Sequence, residues 1–230
     1  KPKVLASLAL TSALLATNWL IFIYAVLDNN IVETSLGYFI NPLVSVFLGM
    51  IFLSERLRPL QWVAIGIVGI GIGFQLFYFG AIPWLALALA FSFGFYGLIR
   101  KNLNLHSVAG LAVETIIASP VALIGLWWLY DSGEMKFGAV DMNTNLLLVM
   151  GGLVTSFPLL CFAAAVTRLS LTVIGMFQYL APSISLIIAV TIYHEPFGLD
   201  RLVTFACIWC ALIIFTTEAT LHHRRVYRKR

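Results

Sequence analysis

Among the residues able to do chemistry, one carboxylate stands apart. Glu114, in the run HSVAGLAVETIIASPVALIGLWWLY, lies seven residues past Ser107, about 10 Å along a helix. A charge costs roughly 2.5 to 3.5 kcal/mol at a span's centre and somewhat less off centre, so such a group must be paired, protonated or set in a cavity. The basic residues all fall toward the ends of apolar runs, and none is expected at the depth of Glu114. A partnerless carboxylate that takes and releases a proton makes Glu114 the proton-coupling candidate; the competing reading is a hydrogen bond between helices.

A second set of residues comes in two copies. The stretch GYFINPLVSVFLGMIFLSERL carries Pro42 and Glu55, and MFQYLAPSISLIIAVTIYHEPF carries Pro182 and Glu195 at the same separation. A proline has no N–H to give and crowds the carbonyl four residues back, here Tyr38 and Gln178, so helix breaks are expected at Pro42 and Pro182. Inside a membrane a freed carbonyl is tolerated where neighbours or water re-satisfy it, often at a cavity wall. Thr34, Tyr38, Asn41 and Ser45 follow helical spacing, and Gln178, Ala181 and Ser185 do likewise. With Asn18, which shares a helical face with Thr11, and with Trp19, Tyr179 and Glu114, these stripes outline an expected substrate cavity lined by Asn18, Trp19, Tyr38, Asn41, Glu114, Gln178 and Tyr179. The alternative is a pair of packing kinks with Asn and Gln joining helices. Glu55 and Glu195 sit where each helix leaves the membrane and are expected to be loop-boundary residues.

Other chemistry recedes on inspection. His106, His194, His222 and His223 all fall in loops or the tail, which removes the usual general base from any intramembrane enzyme. Cys207-Ile-Trp-Cys210 has redox spacing but stands in an apolar run without a second pair, and Cys161 reads as a small hydrophobe. GIVGIGIG lacks the GxGxxG spacing and the preceding strand of a phosphate loop, whereas Gly69 and Gly73 have the small-xxx-small spacing of close helix packing. No metal site and no cofactor is expected.

The elements that position these residues follow from composition. Of 230 residues, 61% are hydrophobic and 10% charged, against roughly a quarter charged in soluble domains. Crossing about 30 Å of hydrocarbon takes roughly 20 apolar residues, and eight such runs lie near residues 4–26, 35–54, 61–79, 82–99, 107–130, 145–166, 171–193 and 200–217. The expected fold is an all-α membrane protein, a polytopic helical bundle. Its short connections leave no room for an extramembrane catalytic module.

The basic residues alternate from loop to loop. One side receives Lys1, Lys3, Arg56, Arg58, Arg100, Lys101, Arg168, Arg224, Arg225, Arg228, Lys229 and Arg230, and the other only Lys136 and Arg201. By the positive-inside rule both termini of the chain are cytoplasmic. Residues 218–230 then form a basic cytoplasmic tail near anionic lipid. Nothing in that tail resembles a folded nucleic-acid reader, so no nucleic-acid partner is expected.

Pro182 and Pro42 differ by 140, as do Glu195 and Glu55. The same offset pairs spans one to three with spans six to eight, a shift of five. Five is odd, so the copies have opposite orientation, the arrangement common in secondary transporters. Residues 1–79 read as the last three helices of a first repeat and residues 80–217 as a complete second one. The expectation is eight transmembrane helices of a total of ten, in two inverted five-helix repeats.

At this point NWLIFIYAV, SLGYFINPL, LGMIFLSERL and LAFSFGFYGLIRK resemble the EamA family of the drug/metabolite transporter superfamily. The resemblance implies a bacterial inner-membrane protein of ten helices that transports a small molecule, commonly outward. Its partners would be a small-molecule substrate, the lipid bilayer and, as a candidate coupling ion, protons. The family usually has Gly before the loop Glu, where this chain has Ser54 and His194. Two other readings compete: an intramembrane lipid- or prenyl-modifying enzyme, which needs paired carboxylates or His with Asp near one interface, and a membrane sensor or scaffold without transport.

Overall fold

Inside hydrocarbon a backbone must satisfy its own N–H and C=O groups, and an open chain can do so only as a helix. The computed structural model describes residues 2–28, 30–192, 194 and 198–227, and of residues 31, 32, 199–201 and 223–227 the backbone alone. Among the described residues the regular elements are helices: α1 (Pro2–Leu27), α2 (Ile31–Leu53), α3 (Pro59–Phe79), α4 (Trp84–Leu103), α5 (Ser107–Asp131), α6 (Met142–Arg168), α7 (Leu171–Gln178), α8 (Leu180–Thr191) and α9 (Leu199–Tyr227). With α7 and α8 taken as one segment, seven are long and apolar enough to cross a membrane. Helix α4 occupies the fourth expected run but is not among them. Its Ala86, Ala90 and Tyr96 are fully buried, so protein covers faces that lipid would otherwise touch, and the sequence there can carry Ser92, Gly94 and Tyr96.

The described chain groups into two compact units. The first comprises Lys1–Thr17 and Ile99–Leu169, the second Asn18–Leu98 and Ser170–Arg230. In the first, α5 packs against α6, and the ends of α6 are capped from nearby. Lys101 Nζ donates to the carbonyls of Val166 at 3.2 Å and Leu169 at 2.5 Å, a cation on the negative end of the helix dipole. At the other end Asp141 accepts from the Thr144 amide and hydroxyl, and these bonds, the hydroxyl's first, hold its carboxyl below the usual range.

In the second unit α3 packs along α9 and α2 along α7. Gly71, not Gly69 or Gly73, makes the α3–α9 crossing possible: a Cβ there would lie 2.8 Å from Cys207 Cβ, while the other two glycines face open space. Thr204 seals the crossing by donating to the Gly71 carbonyl at 3.2 Å and Gln75 Oε1 at 2.8 Å. Arg58, before α3, meets Glu218 of α9 at 2.6 Å.

The two prolines at the repeat offset behave differently. Helix α2 runs through Pro42 without interruption, which corrects the expected break there. More than half of its most apolar stretch is buried, against a third in the α7–α8 segment, so neighbours keep α2 helical through Pro42 although Tyr38 has lost its helical donor. The second segment is divided at Tyr179 (φ −66°, ψ −13°), three residues before Pro182. There the Tyr179 amide turns to the Met176 carbonyl at 3.2 Å. Helix α2 ends at Ser54 in the left-handed region, φ 54°, and His194 adopts the same conformation, φ 52°. A serine thus supplies the cap that a glycine usually makes, with the Ser54 and Glu55 amides both turned to the Gly49 carbonyl.

Candidate functional site

Glu114 sits in a polar cluster of the first unit, and Asn41, Gln178 and Tyr179 sit in one of the second. In the first, the short turn between α4 and α5 sets Arg100 opposite Gly110, and Glu114 lies one helical turn deeper. A Cβ on Gly110 would collide with the guanidinium; the glycine makes room for it. Arg100 and Glu114 have 1% and 2% of their side chains exposed, with Nη1 3.7 Å from Oε1. That distance is an ion pair without a hydrogen bond, and Nε and Nη1 have no hydrogen-bond partner. Thr11 Oγ1 donates to Glu114 Oε1 at 2.6 Å, Ser12 Oγ to the Glu114 carbonyl at 2.8 Å, and Arg100 Nη2 to the Ser107 carbonyl at 3.5 Å.

This overturns the expectation that no cation lies at the depth of Glu114. Arg100 closes an apolar run in sequence, yet its guanidinium is buried against Gly110 and 3.7 Å from Glu114. The available signal was the hairpin: centred near residue 105, it sets position 100 against position 110, and the residue at 110 is glycine.

In the second unit, Asn18 Nδ2 donates to the Leu89 carbonyl at 2.9 Å and to Ser92 Oγ at 2.8 Å, so this amide joins α1 to α4. Trp19 and Tyr38 are about half exposed, and Tyr38 meets the ring of Phe22 edge-on at 6.2 Å. The seam between α2 and α7 gathers the rest. A Cβ on Gly175 would lie 2.6 Å from the Pro42 carbonyl oxygen, so only glycine lets α7 lie directly on α2. Asn41 Nδ2 donates to Gln178 Oε1 at 3.1 Å. Tyr179 is fully buried and its hydroxyl donates to the Phe39 carbonyl at 3.0 Å. Asn41 Oδ1 and Gln178 Nε2 remain buried without a partner.

The second polar stripe is not continuous. Ala181 and Ser185 are exposed, and Ser183 takes the buried position, accepting from Trp209 Nε1 at 3.0 Å and donating to the Tyr179 carbonyl at 2.8 Å. The turn at Tyr179 re-phases α8 relative to α7, which a single helical wheel cannot represent.

Glu55 does more than mark a loop. Its Oε1 accepts from the Leu171 amide at 2.7 Å, and its Oε2 from the Thr172 amide at 2.9 Å and hydroxyl at 2.7 Å. The carboxylate therefore caps the N-terminus of α7, where the helix dipole favours negative charge, beside Ser170, which accepts from the Val173 amide. Ser170 is recognisable in sequence as a helix start; nothing in sequence joins it to a carboxylate more than a hundred residues earlier. Glu195 lies outside the described residues. Among the described residues no group of His, Cys, Asp and Glu could hold a metal ion.

Residues 81–217 match the EamA-like transporter family. Over 224 residues the chain is 48% identical to Protein RarD of Escherichia coli (strain K12), covering 97% of this chain and 76% of that protein. It is also 48% identical, over 217 residues, to an uncharacterized transporter of Vibrio cholerae, covering 94% of this chain and 72% of the relative. A crystallised protein only 14% identical superposes with a TM-score of 0.62 over 94% of this chain and 89% of its own, a likeness of fold. The chain belongs to the EamA-like transporter family, a multi-pass membrane transporter of the drug/metabolite superfamily.

Proposed function

We propose that this protein is a secondary transporter of a bacterial inner membrane that exports a small metabolite or drug-like molecule by alternating access between two inverted repeats, residues 1–79 being the last three helices of the first and residues 80–217 the second. Both termini of the chain face the cytoplasm. Several pairs at the 140-residue offset support the repeat: the N-cap residues Asn30 and Ser170 of α2 and α7, the left-handed residues Ser54 and His194, and Phe39 with Tyr179, which touch. The observation that carries the substrate site is the amide couple of Asn41 and Gln178. One buried acceptor and one buried donor are left over side by side, each costing about 1 to 3 kcal/mol while unmet. A neutral substrate group that offers both a donor and an acceptor meets that need, with Asn18, Trp19, Tyr38 and Tyr179 as further substrate contacts.

Glu114 is the proton-coupling group of this proposal, in the setting Arg100 gives it. A proton on Glu114 cancels the charge that Arg100 faces, so coupling exchanges a proton for the ion pair.

Counterflow by purified full-length protein in vesicles, screened against a metabolite panel, tests the reading. Flux is expected, to be lost when Asn41 and Gln178 are both changed to Ala and to lose its pH dependence in Glu114→Gln; flux in Glu114→Gln with unchanged pH dependence removes the coupling role. Product formation instead of flux would identify an enzyme. For orientation, a cysteine at Ser132 should react with an impermeant thiol reagent from outside and one at Asn102 should not; the reverse labelling overturns the topology.

A further inference from the structure

We propose that Glu55 is the latch of a hinged segment: α7 swings on Tyr179 relative to α2, and the Glu55 carboxylate on the first amides of α7 holds it closed. The transporter reading supplies only the purpose of this device. The two halves of one membrane segment are fastened differently. Helix α7 is fastened to α2 at its N-terminus by Glu55, in its middle where Gly175 meets the Pro42 carbonyl, and at its end through Tyr179 and Gln178. Helix α8 also touches α2, without such fastenings, and its side-chain bond to another helix goes to α9, through Ser183 and Trp209. Between them lies a one-residue turn, and Pro182 cannot restore the helical bond to the Gln178 carbonyl there. A short helix separated from its continuation by such a turn and held by its own contacts is the element that hinge motions move.

The polar contacts are concentrated at the two ends of α7, and the ends differ in kind. Tyr179 itself is fully buried and is the pivot. The other end is held by three hydrogen bonds to a single carboxylate. Bonds to a charged acceptor are roughly twice as strong as neutral ones, and all three share one side chain, so they are lost together. Gly49 keeps the carboxylate in place, because a Cβ there would lie 2.7 Å from Glu55 Oε2. Once released, the Leu171 and Thr172 amides are left to water while Ser170 still serves Val173. Parting the seam from this end moves Leu171 most and leaves Asn41 and Gln178, beside the pivot, paired. Glu55 acts through α7 and is a positioning residue, not a substrate ligand.

Spin labels in the full-length protein in lipid nanodiscs test the latch, after Cys161, Cys207 and Cys210 are changed to Ala. One pair replaces Ile51 in α2 and Val173 near the start of α7; a control pair replaces Phe47 in α2 and Phe177 beside the pivot. Electron–electron distance measurements should give a mainly short Ile51–Val173 distribution. Glu55→Gln should raise the ratio of long to short distances about tenfold, equal to about 1.4 kcal/mol, and Thr172→Val less, with the Phe47–Phe177 pair unchanged in both. An Ile51–Val173 distribution untouched by Glu55→Gln overturns the latch. So does equal broadening of both pairs, which would make Glu55 a support of the fold. Because the distances are read without substrate, failure of the latch leaves the transport assignment standing, and absence of flux leaves the latch measurable.

Discussion

The Arg100–Glu114 pair and the Asn41–Gln178 pair both join helices across apolar surroundings, and they differ in two ways. The first is charged and local, formed within one hairpin. The second is neutral and distant in sequence, formed between α2 and α7, and it leaves one donor and one acceptor unmet. Removing two charges from water is costly, and their attraction offsets that cost only while both are present. An amide pair carries a smaller penalty, and its partners can part and take others. The charged cluster is therefore expected to govern stability and the amide cluster to govern binding.

The largest effect should come from breaking the charged pair. Glu114→Leu leaves Arg100 buried with no counter-charge and should cost about 3 to 5 kcal/mol, measured by unfolding in mixed micelles. Adding Arg100→Met should recover most of that loss, since paired apolar replacements are often neutral or better. The amide variants make the contrast: Asn41→Ala or Gln178→Ala loses one neutral hydrogen bond and exchanges one leftover group for another, so stability should change by about 1 kcal/mol. If the amide variants cost as much as Glu114→Leu, the distinction between the clusters fails, and Asn41 and Gln178 are joints of the fold.

The apolar runs made the helices legible, since each run of about 20 residues has no other way to satisfy its backbone in hydrocarbon. Position along a run was legible as well, which is why Glu114 stood out. Side-chain reach was not: Arg100 was sorted by where its Cα lies, whereas a long stem carries its charge several ångströms further. Proline signalled a weak point in both copies, but only packing decides whether a helix yields, and the buried α2 did not. The contact of Glu55 with α7 joins elements far apart in sequence, and local patterns carry no information about such pairs. Gly71 in place of Gly69 and Gly73 teaches the same lesson on a smaller scale, because spacing names the face of a helix and the neighbour chooses the crossing point.

The smallest expected effect lies outside both clusters, at the helix ends. Ser54 holds φ at 54° and His194 at 52°, a conformation that costs a residue with a Cβ about 1 to 2 kcal/mol. Glycine would remove that strain but has more freedom to lose on folding, by about 0.5 to 1 kcal/mol. The difference favours Ser54→Gly by about 0.5 to 1 kcal/mol, a small rise in the thermal midpoint. Ser54→Val should move it the other way, because a branched Cβ tolerates the left-handed region least. The Ser54 amide bond to the Gly49 carbonyl survives either change, so the comparison isolates backbone strain. Equal midpoints for the glycine and valine variants would mean that α2 ends by another turn, and that the chain leads into Glu55 by a different path.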